Sequence, residues 1–279
     1  MASTGTQVRF NRFRYPNSRV GLIVPIDHGL TLGPIDGVGS VSDLEPWIGD
    51  PAITGIIAHK GMVERLAARG ALGRAGVMLH LNGMSSIAAQ PDRKEMLTTV
   101  KAALQHGADA VSVQVNFDGQ NDAHNLGVLG SVVDEAHDYG LPILAMVYDK
   151  VAIADPAERM PRIRHLMRIA IELGCDALKL APPPDLNDVP RMLRGMDIPV
   201  FFAGGSLTSD PLLLELAQQA VLGGAAGLCL GRNIFQRTSP AQFMHELTNV
   251  MLAAEHTNAA LAAEVRSSGK FARESALSH

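Results

Sequence analysis

Eight short apolar runs, each followed by a longer segment of helical periodicity, restrict what this chain can fold into. The runs are rich in Val, Ile and Leu, which is typical of parallel strands that are buried on both faces. They comprise residues 20–26, 53–58, 76–81, 109–115, 142–148, 176–180, 198–203 and 226–230. Strands that alternate regularly with helices indicate an α/β fold with a parallel sheet.

The predicted helices cover residues 61–72, 93–106, 124–139, 157–173, 186–195, 209–222 and 239 onward. Several of them end at a glycine, a common helix stop signal, directly before the next strand, namely at Gly107, Gly140, Gly174 and Gly223 or Gly224. Eight strand–helix units that close on themselves make a barrel of about 250 residues, and the chain has 279. We therefore predict a single (β/α)8 TIM barrel with parallel strands.

An open, doubly wound sheet is the alternative architecture. Such a sheet would usually carry a glycine-rich dinucleotide loop after its first strand, where this chain has Asp27-His28-Gly29. Within the barrel interpretation we expect an N-terminal extension over residues 1–19, the barrel over 20–255 and a C-terminal helix and tail over 256–279. The last segment is alanine-rich and cannot bury much on its own, so we expect its helix to pack on a neighbouring subunit.

Composition and charge exclude several classes of function. The formal net charge is -4, and no acidic or basic block indicates binding to nucleic acid or to a membrane surface. No run approaches the roughly 20 apolar residues that span a bilayer, and no apolar signal segment follows the N-terminal arginines. Cys175 and Cys229 lie in or beside apolar runs without a CxxC partner, which indicates core residues in a reducing compartment. We expect a soluble, cytoplasmic protein.

Lys179 is the most informative single residue, because it stands in a strand that is otherwise apolar. The alternation along this strand turns Lys179 toward the barrel lumen and its two leucine neighbours outward. Burial disfavours an ammonium ion, so we expect a depressed pKa and a neutral amine near pH 7 that can attack a carbonyl. A buried stem with the amine reaching solvent is the alternative. Lys60 and Lys150 stand in more polar surroundings and rank below it.

Two other polar side chains follow or end a predicted strand. Asp27 follows the first strand and could orient the lysine amine or assist proton transfer, although an Asx turn is the alternative for an isolated Asp-His-Gly. Tyr148 closes the fifth strand, where a phenol can exchange a proton with a substrate hydroxyl. A lone tyrosine is more often a core residue with a satisfied hydroxyl group.

Glycine-rich loops follow the seventh and eighth strands, at Gly204-Gly205-Ser206 and at Gly231-Arg232. In this kind of barrel those two loops commonly bind phosphate, because glycines let backbone N–H groups approach the oxygens and the next helix adds a favourable dipole. Arg232 could add bidentate contacts. The sequence therefore predicts a phosphate site at these two strand ends.

A metal site is the competing interpretation of this end of the barrel. His28, His59 and His80 each follow or close a predicted strand, and imidazoles that converge on one lumen would suit zinc or another divalent ion. The three histidines form no HxH or HxxxH pair, so we expect no metal. A metal-dependent lyase built on them remains the alternative.

Four parts of the chain together resemble one enzyme family. They are the run VPIDHGLTLGPIDG, the AHKG after the second strand, the pair Tyr148 and Lys179 at neighbouring strand ends, and the run GGAAGLCLGRNIFQR. The chain resembles, over about residues 20–255, the class I aldolases of the archaeal fructose-bisphosphate aldolase type. That superfamily also includes 2-amino-3,7-dideoxy-D-threo-hept-6-ulosonate synthase and a thiolase acting on autoinducer-2 phosphate.

The resemblance implies a lyase that makes or cleaves a carbon–carbon bond in a phosphorylated ketose through a Schiff base, without a cofactor. A related ketone-phosphate thiolase that uses coenzyme A is the alternative within the family. The resemblance also implies a homo-oligomer, either a ring or a decamer. The roles that it implies are a Schiff-base lysine at Lys179, an acid/base at Tyr148, an aspartate at Asp27, and a phosphate cradle from Gly204, Gly205, Ser206, Gly231 and Arg232, with His28 beside it.

The chain departs from the family pattern in three places. Family members usually follow the tyrosine with Pro-Arg-Gly, where this chain has Asp149-Lys150-Val151. They usually follow the lysine with Thr and a Tyr-Thr-Gly turn, where this chain has residues 180–185 with three successive prolines. They tend to carry His where Gln114 stands. Prolines remove backbone donors and stiffen the loop, so these changes predict a different substrate rather than a different chemistry.

Overall fold

The chain folds into a closed barrel of eight parallel strands, seen in a computed structural model that describes the backbone of residues 3–276 and the side chains of residues 3–260. The barrel strands are β1 (Gly21–Pro25), β2 (Gly55–Ala58), β3 (Gly76–His80), β6 (Ala110–Phe117), β7 (Ile143–Asp149), β8 (Ala177–Leu180), β9 (Val200–Ala203) and β10 (Gly227–Cys229). A separate antiparallel ribbon pairs β4 (Asn82–Gly83) with β5 (Glu95–Met96). The order around the barrel is β1-β10-β9-β8-β7-β6-β3-β2. The predicted TIM barrel is confirmed, with one strand at each predicted run; the strands Ala110–Phe117 and Ile143–Asp149 extend beyond the predicted ends of their runs, at residues 115 and 148.

Helices connect the strands and cover the outside of the barrel. They are α1 (Thr4–Phe10), α2 (His28–Leu32), α3 (Val41–Leu44), α4 (Lys60–Ala68), α5 (Val100–Gln105), α6 (Asp122–Asp138), α7 (Pro156–Glu172), α8 (Val189–Leu193), α9 (Asp210–Leu222), α10 (Arg232–Phe235) and α11 (Pro240–Ala276). Short 3-10 turns occupy Asn11–Phe13 and Leu186–Asp188. Among the helices of the described part, none combines the length and the apolar character that a membrane span requires.

The predicted helix over residues 93–106 is wrong in its first half. Residues 95 and 96 pair with the β4 strand, and the helix begins only after Thr99, whose side chain accepts a hydrogen bond from the Ala102 amide at 3.1 Å. A two-residue ribbon has no periodicity of its own and forms only because tertiary contacts bring its strands together. The short helices α1, α2, α3 and α10 were not predicted, because they are too brief to show a helical period.

Alternate residues of the strands face two different cores. One set packs outward against the helices, and the other fills the lumen in layers, as is usual in this fold. Lys179 alternates with Leu178 and Leu180, which belong to the outer core, whereas Ala177 and Met146 belong to the lumen core. The inward orientation of Lys179 therefore follows from the strand period, as predicted.

The N-terminal segment closes the bottom of the barrel. Phe10 and Phe13 belong to the lumen core, and Phe13 is completely buried. Its ring lies so close to β2 that a Cβ atom on Gly55 would stand 2.3 Å from the ring, so the strand needs glycine at that position. The segment that we expected to be an extension thus supplies part of the lumen core.

The last helix, α11, packs on the barrel with its first part and continues as one helix. Its first part buries Met244, Leu247 and Met251 in the outer core, and the helix passes residue 255 without interruption. The division into an extension, a barrel and a C-terminal segment therefore stays a prediction. The predicted tail at residues 277–279, and the predicted packing of the side chains after residue 260 on a neighbouring subunit, lie outside the described residues.

We expect Phe13→Ala to lower the free energy of unfolding by about 3–5 kcal/mol, because it removes a fully buried ring from a lumen that cannot collapse around the gap. Urea unfolding of the two proteins measures the difference. Phe13→Leu retains most of the buried volume and should cost clearly less. Equal and small losses of the free energy of unfolding for both substitutions would show that the stability of the barrel does not depend on the Phe13 ring.

Candidate active site

Lys179 lies in the lumen near the C-terminal end of β8. Its side chain is 6% exposed, and its Nζ lies 3.9 Å from the Sδ of Met146, its register partner on β7. Cys229, at the end of β10, shares the same lumen core, so the small buried cysteine predicted from sequence is a neighbour of the lysine. The amine is therefore enclosed by protein at the end of the barrel where active sites form in this fold.

The pKa of Lys179 is raised, which makes the sequence-based expectation of a depressed pKa wrong. Burial by itself lowers this pKa, but interactions with Cys229, Tyr148 and Asp27 raise it by more. Burial raises the pKa of the Cys229 thiol to about 11, so that thiol is neutral near pH 7. At neutral pH it is therefore the charge of Asp27 that favours the ammonium form of Lys179, and an ammonium ion must lose a proton before it can attack a carbonyl.

Asp27 follows β1 and lies between two histidines. One carboxylate oxygen stands 3.5 Å from the Nδ1 of His28, and the other stands 3.8 Å from the Nε2 of His80. Burial raises the pKa of Asp27, but positive charge on His80, His28, Lys179 and His59 lowers it by more, so that the net pKa is below the ordinary value. Asp27 is therefore ionised at neutral pH.

His80 and His59 are held by hydrogen bonds inside the protein. The Nδ1 of His80 lies 2.8 Å from the Oγ of Ser112, and the Nδ1 of His59 lies 3.2 Å from the carbonyl oxygen of His80. Their rings pack together with centroids 5.2 Å apart, whereas His28 stacks edge-on against Phe235. Within the described residues, no group of three His, Cys, Asp or Glu side chains is arranged to hold a metal ion. The geometry does not support the metal-site alternative.

The two predicted phosphate loops lie side by side and are joined by Asn233. Its amide nitrogen donates hydrogen bonds to the carbonyl oxygens of Gly204 and Ser206, both at 2.9 Å, and its oxygen accepts one from the Thr208 amide at 2.9 Å. Gly205 adopts a φ of 69°, which favours glycine. Asn233 is 1% exposed and was not predicted as a site residue. It fixes the first loop against the start of α10.

The second loop approaches His28 closely. A Cβ atom on Gly231 would stand 2.4 Å from the His28 ring, so only glycine fits there. Arg232 begins α10 directly after it, and the buried Nε of Arg232 has no hydrogen-bond partner within the described residues. The charge of Arg232 also contributes to the lowered pKa of His28, after burial and Lys179. A buried guanidinium nitrogen beside a glycine loop is suited to an anionic ligand.

Tyr148 is half-buried at the end of β7 and packs against the lumen core beside Lys179. The carboxylate of Asp149 is engaged elsewhere, since it accepts hydrogen bonds from the Nε and Nη2 of Arg162 at 2.6 and 3.0 Å. The amine of Lys150 lies 5.8 Å from the centre of the Tyr148 ring. At this strand end Tyr148 is therefore the residue that is placed to exchange a proton with a ligand on the lysine.

The proline-rich loop after β8 forms one wall of a cavity of about 220 Å³ beside Tyr148. Residues 182–184 line it together with Met160, Ile163 and Met192 from the outer helices. The residues that replace the usual Tyr-Thr-Gly turn of the family thus make an apolar surface. This departure changes the surroundings of the tyrosine and leaves the lysine in place.

Lys94 lies at this end of the barrel but was not identified from the sequence. It precedes the β5 strand of the ribbon, and its side chain is only 3% exposed. The predicted helix over 93–106 would have placed it on a solvated helical face. No local pattern in the sequence distinguishes it, because a two-residue ribbon forms only through tertiary contacts.

Comparisons with known proteins agree with this fold and site. The model of the DeoC/LacD family of aldolases matches residues 21–237, which is most of the chain. The chain belongs to this aldolase family. The predicted class I aldolase relationship is confirmed, and the protein is a lyase.

Several family members share about a third of their residues with this chain. A 2-amino-3,7-dideoxy-D-threo-hept-6-ulosonate synthase from Archaeoglobus fulgidus is 35% identical over 81% of this chain and 84% of its own length. A class 1 fructose-bisphosphate aldolase from Halobacterium salinarum is 30% identical over 85% of this chain and 92% of its own. The crystal structure of an archaeal fructose 1,6-bisphosphate aldolase superimposes with a TM-score of 0.78 at 22% identity, covering 89% of this chain and 99% of that one. That likeness shows the shared barrel.

Burial of His80 predicts how the stability of this aldolase depends on pH. Burial lowers the pKa of His80 to about 3, although the Asp27 charge opposes the shift. The unfolded chain binds a proton at this histidine below about pH 6.5 and the folded chain does not, so the free energy of unfolding falls as the pH drops from 6.5 toward 3. The contribution is at most about 1.4 kcal/mol per pH unit.

Urea unfolding at pH 5 and pH 7 measures this dependence in the wild type and in His80→Gln. Asp27 is ionised in both states over that range, so it does not contribute to the difference. The substitution should make the protein less sensitive to acid over this range. Identical pH dependence in the two proteins would show that His80 is not the buried neutral group described above.

Proposed function

We propose that this aldolase makes or cleaves a carbon–carbon bond in a phosphorylated ketose through an imine on Lys179. The observation that carries the proposal is the lumen itself, where a buried amine faces Tyr148 and Asp27 at one end of the barrel and two glycine loops stand at neighbouring strand ends. The names of the relatives agree, since they include fructose-bisphosphate aldolase and heptulosonate synthase.

Imine formation begins with removal of a proton from the Lys179 ammonium, for which the ionised Asp27 carboxylate is a suitable acceptor. The nitrogen lone pair then forms a bond to the ketone carbon, the carbonyl electrons move to oxygen, and a proton moves from the nitrogen to that oxygen to give the neutral carbinolamine. Loss of that oxygen as water from the carbinolamine gives the iminium ion. Asp27 can return a proton to the leaving hydroxyl group, so the same carboxylate serves both steps.

Cleavage follows when Tyr148, as the phenolate formed by loss of its own proton to solvent, accepts the proton of the hydroxyl group on the carbon β to the iminium carbon. The electrons of the breaking carbon–carbon bond move into the iminium ion, which becomes a neutral enamine, and the hydroxyl-bearing carbon leaves as an aldehyde. Protonation and hydrolysis of the enamine release the ketone and restore Lys179. Synthesis runs the same steps in reverse.

The phosphate group would lie against Gly204, Gly205, Ser206, Gly231 and Arg232, with His28 beside it. Anchoring it there fixes the position of the ketone carbon relative to the amine, which is how remote binding accelerates the chemical step. The iminium ion is the electron sink, so this chemistry calls for neither a metal nor a cofactor. The cytoplasmic location and the homo-oligomer, a ring or a decamer, are parts of the same proposal.

Borohydride reduction in the presence of dihydroxyacetone phosphate should attach the ketone covalently to Lys179, because borohydride reduces the iminium ion to a stable amine. Mass mapping of the peptides identifies the modified residue. Lys179→Met should abolish the adduct and lower turnover by on the order of 10⁴ or more, as loss of a nucleophile does in other covalent enzymes. Lys60→Met, which changes an exposed lysine, serves as the matched control.

Other outcomes of this experiment would favour a different mechanism. If no ketose phosphate gives an adduct on Lys179, the imine mechanism is wrong. Activity that survives Lys179→Met but disappears with a chelator would favour a metal-dependent lyase. Product formation that requires coenzyme A would favour the thiolase reaction.

Tyr148→Phe should separate the two halves of the reaction. Because the phenol acts on the hydroxyl group and not on the ketone, we expect the borohydride adduct to form while turnover falls by about 10²- to 10⁴-fold. Single-turnover cleavage of fructose bisphosphate measures the second quantity. Equal losses of trapping and cleavage would instead assign Tyr148 to imine formation.

A further inference from the structure

The cavity of about 220 Å³ beside Tyr148 is not used by the steps above. It lies between the C-terminal ends of β7 and β8 and the helices that follow them, α7 and α8. Most of its lining is apolar and comes from residues 181–184 after β8, from Met160 and Ile163 of α7, and from Met192 of α8. A group that enters this cavity therefore leaves water for a surface made mainly of carbon atoms, which favours apolar groups.

The cavity offers few hydrogen bonds to a polar group. Proline has no backbone N–H group, so residues 182–184 provide no backbone donor along one wall. Among the described residues that line the cavity, two carry charge, Asp149 and Arg159. Asp149 is paired with Arg162, and the Arg159 side chain is exposed to solvent. A hydroxylated group in this cavity would exchange its hydrogen bonds with water for few others, which costs free energy.

Tyr148 connects the cavity with the reaction space. It lines the cavity and also packs against the lumen core, to which Met146, the register partner of Lys179, belongs. Ala181, another lining residue, follows Lys179 by two positions. In the proposed mechanism Tyr148 acts on the hydroxyl group of the carbon atom that the aldehyde supplies. The substituent on that carbon atom therefore lies near Tyr148, within reach of the cavity.

We propose that this cavity binds an apolar substituent of the aldehyde partner. This inference rests on the proposed aldol chemistry and specifies the class of aldehyde as one that carries a short alkyl chain. The cavity is smaller than the roughly 300–1,000 Å³ of a pocket that encloses a whole ligand, so it accepts one substituent while the carbonyl carbon stays beside Tyr148. The prolines of its wall stand where this chain departs from the family pattern, so the preference is a property of this chain.

A series of unbranched aldehydes from ethanal to pentanal, each with dihydroxyacetone phosphate as the ketone, tests the proposal. In the wild type each added methylene group should raise kcat/KM by about fourfold, because that is the effect of burying one methylene group in an apolar site. Propanal should also be preferred over glyceraldehyde, which has the same number of carbon atoms but carries two hydroxyl groups. Glyceraldehyde 3-phosphate is included as the charged comparison.

Ile163→Phe should narrow the cavity, because the larger side chain takes up part of its volume. The ratio of kcat/KM for pentanal to kcat/KM for ethanal should then fall by on the order of 10-fold, as happens when an apolar pocket excludes a methylene group. Ile169→Phe makes the same substitution at a half-buried position of α7 that does not line the cavity, and this matched control should keep the wild-type ratio.

Borohydride trapping of dihydroxyacetone phosphate alone separates this inference from the proposed function. If trapping on Lys179 fails in the wild type, the aldol proposal itself is wrong. If trapping succeeds but kcat/KM does not rise from ethanal to pentanal, or is higher for glyceraldehyde or its 3-phosphate than for pentanal, the assignment of the cavity is wrong. Equal ratios in Ile163→Phe and Ile169→Phe would also overturn it. The wild-type series decides the question even if Ile163→Phe does not fold.

Discussion

The burial of an ammonium ion in the barrel lumen is the constraint on which the active site depends. A charged amine enclosed by apolar strands is costly unless an opposite charge stands near it. Asp27 supplies negative charge in the same lumen, and the charge of Lys179 in turn favours the ionised form of Asp27. In the proposed mechanism the amine becomes reactive when it loses its proton.

At the C-terminal ends of the barrel strands, different groups of residues lie at different strands. Asn233 joins the two glycine loops after β9 and β10 and fixes their relative position. Lys179 and Tyr148 occupy the neighbouring strands β8 and β7, next to β9. In the proposed mechanism a phosphate bound at the glycine loops keeps the ketone carbon close to the amine, which limits the entropy lost in reaching the transition state.

The N-terminal end of the barrel contributes to the stability of the fold and not to the active site. Phe13 fills the lumen from below, and Gly55 leaves room for its ring. This arrangement lets the upper lumen hold polar and charged groups, because apolar layers beneath them supply the cohesion of the core. The departures from the family pattern, at residues 149–151 and 180–185, lie at the upper end, where they alter the walls of the substrate space and leave the lysine in place.

The sequence by itself determined the order of strands and helices, because apolar periodicity is a local property and eight repeats of it allow few closed arrangements. It also determined that Lys179 faces inward, since side chains alternate along a strand, and that glycines follow β9 and β10. Only the tertiary structure decided the protonation of Lys179, because its pKa reflects charges on residues far away in sequence, Asp27 among them. The position of the Phe13 ring in the lumen and the burial of Lys94 were likewise decided by packing, since neither short segment carries a periodic pattern.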